Sequence, residues 1–412
     1  MRIMALHRKT LALLCVAGYG FLGMALANAQ EPDWIGQANN AFAIDLYAKL
    51  APGNSENLFF SPNSIETALA MTYAGARADT AKQMAAVLHL PPDSSTVHKD
   101  LGNFIAELNG EGAQKGNARS YQLSVANALW GQAGFHFLPD FVSLLKTNYG
   151  AGFQEVDFLH NAEAARQTIN AWVEKETHDK IQNLIAPGIL NPATELVLTN
   201  TIYFKGTWAT PFEKKATQEQ PFHISAGDEK KVPMMQRTGN YRYAEGADFK
   251  ALKLPYAGYE LSMIVLLPNA VGGLPQLEKE LTTSTKLSDF LDKFDDEKVV
   301  VSMPRFQMTD SFELGPTLIS MGMEDAFGGR ADFSGMTGTR KLFISNVIHK
   351  AFVDVNEQGT EAAAATAPVM GYSMAFRPQP PKVFRADHPF LFVIRDERSG
   401  AILFMGRLVE PD

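Results

Sequence analysis

A chain of 412 residues, 46% hydrophobic and 20% charged, has the composition of an ordinary globular protein with a large core, and length alone permits two or three domains. The formal net charge of -8 argues against nucleic-acid and heparin-like partners, which need clustered positive charge, so neither a nucleic acid nor a glycosaminoglycan is expected to bind. With one cysteine, Cys15, no disulfide can form within the chain.

The chain begins with the basic group Arg2, His7, Arg8 and Lys9, continues as an apolar run from Leu11 to Met24, and reaches a small-x-small site at Ala27-Asn28-Ala29. That order is the pattern of an export signal cut after Ala29. The run is short for a bilayer helix and is followed at once by Glu31-Pro32-Asp33, which disfavours an anchor. The bulky Leu14 disfavours a lipoprotein site at Cys15. Residues 1–29 are therefore expected to be a signal peptide, and 30–412 a single domain outside the cytoplasm, secreted or periplasmic. Loss of Arg2, Arg8 and Lys9, with no acid in the segment, takes the charge from -8 to -11. Cys15 leaves too, so no thiol nucleophile or thiolate metal site is expected in the mature chain.

The first half reads as mostly helical. Ile35, Ala38, Phe42 and Leu46 recur at helical spacing. Thr80 with Gln83 forms a capping-box pattern for a helix ending near Leu90-Pro91-Pro92, and Asn161 is placed to cap a helix carrying Ile169, Trp172 and Val173 inward. Strands follow. Leu196 to Phe204 is apolar on both faces, which suits a central strand. Leu261 to Leu267, Lys298 to Met303, Leu342 to Val355, Pro389 to Arg395 and Ala401 to Leu408 repeat the strand signature, the last two joined by a turn at Asp396 to Gly400. No internal repeat is present. About thirty residues follow the Pro-rich stretch from Arg377 to Lys382, too few to fold alone, so these last strands must complete the core of the preceding body.

Enzyme signatures are missing: there is no G-x-S-x-G elbow, no H-E-x-x-H, no phosphate-binding loop and no dinucleotide fingerprint. The histidines are scattered and none pairs with another at metal-ligand spacing. No metal, no cofactor and no catalytic residues are expected. Carboxylates are plentiful, and a glycosidase-like pair stays open because sequence does not bring any two together.

The most informative stretch joins the strand-like Ala351-Phe352-Val353-Asp354-Val355 to a run of small residues ending at Thr366. Beyond it Pro368, Pro378, Pro380 and Pro381 forbid regular structure over most of the way to Phe384. From Gly359 to Thr366 no side chain is larger than glutamate. Two readings follow: a flexible linker, or a hinge whose small residues let a loop enter a sheet.

Several separated motifs resolve that choice. Phe59-Phe60-Ser61-Pro62-Asn63-Ser64-Ile65, Ala74-Gly75-Ala76-Arg77-Ala78-Asp79-Thr80, Asn200-Thr201-Ile202-Tyr203-Phe204-Lys205-Gly206-Thr207-Trp208 and Phe384-Arg385-Ala386-Asp387-His388-Pro389-Phe390-Leu391-Phe392 resemble, in order, segments of the serpin family. The resemblance covers Trp34 to Leu408. It implies an α+β fold of the multi-domain class, with three sheets, about nine helices and a reactive-centre loop exposed between Gly359 and Lys382. It also implies serine protease inhibition by a suicide mechanism, in which the protease cleaves the loop, is held as an acyl-enzyme, and is distorted as the loop inserts as a new strand. A non-inhibitory serpin with a binding or storage role, cleaved as a substrate, is the alternative.

The family pattern assigns a hinge to Glu357, Gly359, Thr360, Glu361, Ala362, Ala363, Ala364, Ala365 and Thr366. Alternation along a strand turns Thr360, Ala362, Ala364 and Thr366 inward and Glu361 outward, so no charge is buried. Ser61, Ser64, Asn200 and His349 match the shutter, a polar cluster beneath the sheet. Trp208, Arg305 and Glu357 match the breach, where Arg305 and Glu357 form either an ion pair or two solvated charges. Counting from Gly359 puts the reactive bond at Ser373-Met374, with Met370-Gly371, Tyr372-Ser373 and Met374-Ala375 as neighbours; a following proline discounts Arg377-Pro378. The loop to Pro389 is about five residues longer than in familiar members, a length change that loops tolerate. Apolar and small residues there imply an elastase-, chymotrypsin- or subtilisin-like target, with a cysteine protease as a possible cross-class partner, acted on by a monomer. Pro368 departs from the pattern, since it cannot donate to a ladder, and implies that some protease escapes by turnover.

Overall fold

The computed structural model describes residues 33–93, 95–110, 121–150, 152–281, 287, 290, 293–360 and 380–412. Nine α-helices lie among them: α1 (Asp33–Leu50), α2 (Pro62–Tyr73), α3 (Ala78–Val87), α4 (Val97–Leu108), α5 (Pro139–Tyr149), α6 (Phe158–Glu176), α7 (Leu274–Glu280), α8 (Gly315–Ser320) and α9 (Ser334–Thr337). The strands are β1 (Leu58–Phe60), β2 (Tyr121–Gln132), β3 (Gly152–Val156), β4 (Leu196–Thr207), β5 (Gln218–Ser225), β6 (Asp228–Glu245), β7 (Phe249–Pro255), β8 (Leu261–Pro268), β9 (Asp295–Pro304), β10 (Phe306–Glu313), β11 (Ile344–Asn356), β12 (Gly359–Thr360), β13 (Lys382–Arg385), β14 (Phe390–Asp396) and β15 (Ile402–Leu408). No described helix is long and apolar enough to cross a membrane.

The central sheet has the order β10-β11-β12-β4-β2-β3. Its middle strand β4 is buried almost throughout, as the apolar run predicts. Val197 faces Phe158, Ile169 and Val173 of α6, whereas Leu196 and Leu198 join Ile65 and Leu69 of α2. A strand covered on both faces has no use for alternation, hence its continuous apolar pattern. The other nine strands connect through the 18-residue β6, whose first part pairs with β5 and whose last residues pair with β7. That long strand passes from one sheet into the next, giving three sheets in all.

Helix α2 begins where Ser61 Oγ accepts from Ser64 N at 3.2 Å and Pro62 occupies the first turn, a position that needs no N–H. One predicted helix start is corrected. Thr80 lies inside α3 and accepts from Asp332 N at 3.0 Å, while Gln83 accepts from Asp325 N at 2.8 Å. Both side chains serve a neighbouring loop, and Arg77 is the residue before the helix. In α6 Asp157 caps the short first turn, accepting from His160 N at 3.0 Å, and the helix then kinks at Asn161, whose φ -148° and ψ 54° are non-helical. Asn161 thus stands at the expected cap position, directly before the segment that carries Ile169, Trp172 and Val173 into the core.

One feature of α2 opposes folding. Glu66 is fully buried, and neither carboxyl oxygen has a hydrogen-bond partner among the described residues. Burial raises its pKa well above the ordinary 4.5. The folded state then binds the proton more tightly than the unfolded state does, so stability falls as pH rises above that ordinary value. Glu66→Met, of similar volume, is expected to raise the melting temperature at pH 8 by several degrees. Scans from pH 8 down to pH 4 should show the advantage shrinking; an equal gain at every pH would contradict an ionisation cost.

Candidate functional site in the central sheet

Strands β4 and β11 run parallel and pair directly from Leu196 and Ile344 up to Tyr203 and Phe352. Above that point they part, and the two residues of β12 lie between them. Gly359 faces Thr207 on one side and Asn356 on the other, and Thr360 faces Gly206 and Val355; both pairings are antiparallel. A two-residue turn, Glu357-Gln358, reverses the chain out of β11, with Gln358 N donating to Asn356 Oδ1 at 3.0 Å. Gly359 sits at φ +142°, where an added Cβ would come within 2.0 Å of Gly206 O. Only glycine fits between the strands at that height.

Three further groups fix this mouth. Trp208 N donates to Gln358 O at 2.8 Å and Phe212 N to Glu357 O at 2.7 Å. The Trp208 indole N–H donates to Asn356 O at 3.0 Å. The buried Glu357 carboxylate accepts from Thr217 Oγ1 at 2.8 Å and lies 3.7 Å from Arg305 Nε, whose side chain is 50% exposed. At that distance and exposure the ion pair contributes at most about 1 kcal/mol, and the backbone bonds carry the turn. Thr360 is wholly buried, its hydroxyl 2.9 Å from that of Tyr256.

Beneath the seam lies a polar cluster. Asn200 Nδ2 donates to Ser64 O at 2.7 Å, to Ser64 Oγ at 2.5 Å and to Asn127 Oδ1. His349 Nδ1 bonds Asn200 Oδ1 across the two parallel strands. The other ring nitrogen accepts from Ser61 N at 3.2 Å, and Ser61 Oγ donates to Leu403 O at 2.6 Å. A ring nitrogen that accepts from a backbone N–H cannot also carry a proton. Burial works in the same direction and holds the His349 pKa down to about 3. Phe312 stacks on the ring with centroids 6.2 Å apart.

The structure thus brings Ser61, Ser64, Asn200 and His349 together, and likewise Trp208, Arg305 and Glu357. Gly359 and Thr360 lie in the sheet. Glu361 to Thr366, and the reactive-bond candidates Met370, Tyr372, Ser373 and Met374, fall outside the described residues, as do residues 1–29. Sequence reasoning missed Asn127, Phe312, Thr217 and Tyr256. Asn127 lies on β2, whose mixed polar and apolar residues give no strand signal over their full length, and Tyr256 follows Pro255 in what reads only as a turn.

The family model described as Serpin (serine protease inhibitor) matches residues 37–411. The leukocyte elastase inhibitor of Homo sapiens is 42% identical over 387 residues, covering 92% of this chain and 99% of that protein. Among solved structures, uncleaved ovalbumin superposes with a TM-score of 0.82 at 33% identity, covering 92% of this chain and 100% of that one. A loop-inserted, cleaved ovalbumin mutant does so with 0.80 at 32% identity and the same coverage. The chain belongs to the serpin family of serine protease inhibitors.

The buried neutral histidine makes stability sensitive to acid. Below its ordinary pKa of 6.5 the unfolded state takes up a proton that folded His349 refuses down to about pH 3, so stability is complete above 6.5 and declines below it. In His349→Gln the slope of unfolding free energy between pH 6 and pH 4 should be shallower by about one proton, roughly 1.4 kcal/mol per pH unit, in denaturant titrations. An unchanged slope would mean that the ring is protonated in place.

Proposed function

We propose that this serpin inhibits by the suicide route and that β12 is the first part of the strand that the cleaved loop completes. A target serine attacks the reactive carbonyl, forming an ester and releasing the amine of the next residue. The loop's new end stays bonded to the protease. Insertion then carries the protease along the sheet, on the order of 40 Å for a dozen residues at ~3.3 Å each, and its active site is distorted before water completes hydrolysis.

The observation that carries this reading is the antiparallel seating of Gly359 and Thr360 between β11 and β4. Continuing that register, Glu361 would face Lys205 and Asp354, Ala362 would face Phe204 and Val353, and Ala364 would face Ile202 and Ala351. Thr366 would face Asn200 and His349. Phe204, Val353, Ile202 and Ala351 are buried in the core, so the alanines meet apolar surroundings that leave no room for larger groups. At the polar cluster the loop brings a hydroxyl, the one side chain of the series able to replace the Asn200–His349 bond. Insertion exchanges one parallel ladder for two antiparallel ones. At about 0.5 to 1.5 kcal/mol net per added bond, the gain is on the order of 10 kcal/mol, comparable with the whole stability of a domain.

The apolar and small residues around Ser373-Met374 point to a serine protease with an apolar primary pocket, elastase-, chymotrypsin- or subtilisin-like. The likeness to a protein named leukocyte elastase inhibitor supports the first. The export pattern of residues 1–29 supports a target outside the cytoplasm, met by a 30–412 domain acting alone, without a cofactor and without turnover chemistry of its own.

Incubation of residues 30–412 with a panel of serine proteases, and one cysteine protease, should yield a denaturant-stable complex and a released C-terminal peptide whose first residue identifies the reactive bond. Cleavage with no complex for any protease would leave only the substrate-like, non-inhibitory reading. Thr360→Arg should abolish the complex while leaving cleavage intact, because it forces a charge into the buried inward position; full trapping by that variant would disprove the register.

A further inference from the structure

We propose that Tyr256 is a positioning residue for loop insertion: its hydroxyl holds Thr360 in the mouth of the central sheet, so that insertion extends a nucleus already formed. This rests on the insertion reading above and adds to it a residue from outside the sheet. Tyr256 lies between β7 and β8, in the neighbouring sheet, and is fully buried. An antiparallel bridge joins it to Trp208, just beyond β4, and Ala257 N donates to Thr207 O at 2.7 Å.

The ring is clamped on several sides. Trp208 stacks on it at 4.6 Å and 13°, and Phe204 meets its edge at 5.0 Å and 81°. A Cβ on Gly206 would strike it at 2.7 Å. With the ring so fixed, the hydroxyl has little freedom, and among the described residues its hydrogen-bond partner is Thr360 Oγ1. Thr360 is also the first residue of β12 with a side chain, since Gly359 has none. If Thr360 withdrew, a buried phenol would lose its partner while threonine regained water, and that asymmetry favours the seated hinge.

The consequence is kinetic. Closing the first pairs of a new strand carries the loop-closure cost, and later pairs add to an existing end. Insertion competes with hydrolysis of the acyl-enzyme, so a slower start releases more protease as turnover product. Tyr256→Phe keeps the ring and its stacking and removes one oxygen. The loss of one buried hydrogen bond should slow insertion by about three- to tenfold. The stoichiometry of inhibition should rise, the rate of association with the protease should not change, and amide hydrogen exchange at Thr360 in the uncleaved protein should speed up by a similar factor. Thr360→Val should act in the same direction, and the double variant should be no worse than the more affected single one, since both remove the same bond.

Unchanged exchange and unchanged stoichiometry in Tyr256→Phe, with a wild type that traps protease normally, would overturn the proposal. Strict additivity of the two substitutions would do so as well. A wild type that traps no protease at all is the different outcome that removes the inhibitor reading beneath it.

Discussion

Everything distinctive about this chain depends on the seam between β4 and β11. These are parallel strands at the centre of a sheet, covered on both faces, where a fold is ordinarily least able to change. Yet their pairing stops at Tyr203 and Phe352, and two residues of the following segment already lie in the gap with antiparallel bonds to either side. A sheet built in this way has an available lower state with one more strand. What separates the two states is the parting of the closed portion of the seam.

The chemistry along that portion suits parting. An apolar seam would have to expose surface before regaining it, whereas a hydrogen-bonded one can exchange partners. Asn200 and His349 stand opposite each other on the two strands, and Ser61, Ser64 and Asn127 satisfy their remaining groups from α2 and β2. The neutral tautomer of His349 is what lets one ring both donate across the seam and accept from α2's leading residue. The same helix carries Glu66, whose buried carboxylate has no hydrogen-bond partner among the described residues, so the element on which the seam rests carries an uncompensated cost.

How far the sequence carried this argument varied with the kind of signal. Strand β4 was legible because a strand buried on both faces cannot hide its apolar run. The run of small residues after Gly359, by contrast, fitted a linker as well as a hinge until the family motifs were added, and only its first two residues, Gly359 and Thr360, lie among the described residues. The serpin motifs placed eight of the site's side chains before any geometry was known. Local rules failed where tertiary contacts claimed the same groups: Thr80 and Gln83 have the spacing of a capping box but bond a loop about 250 residues away, a use no local rule anticipates. Asn127 escaped because β2 mixes polar and apolar residues without clean alternation. Tyr256 escaped because its importance lies entirely in what approaches it from another sheet.

The register also bears on Pro368, which at the level of sequence looks like an obstacle within the inserting strand. In the proposed inserted state, the antiparallel register of Gly359 and Thr360, carried on, would bring Pro368 opposite Leu198 and Val347, two residues above the foot of β4 at Leu196. On the facing strand the pairing with β4 is already irregular between Ile344 and Asn346, and Ser345 between them turns its hydroxyl to Glu195 N at 2.9 Å. A proline there forfeits one ladder bond near the end of the strand, where irregular pairing is tolerated best. The segment from Gly359 to Ala367 passes the polar cluster before proline is reached. On the proposed insertion, most of the new pairs would therefore form upstream of Pro368.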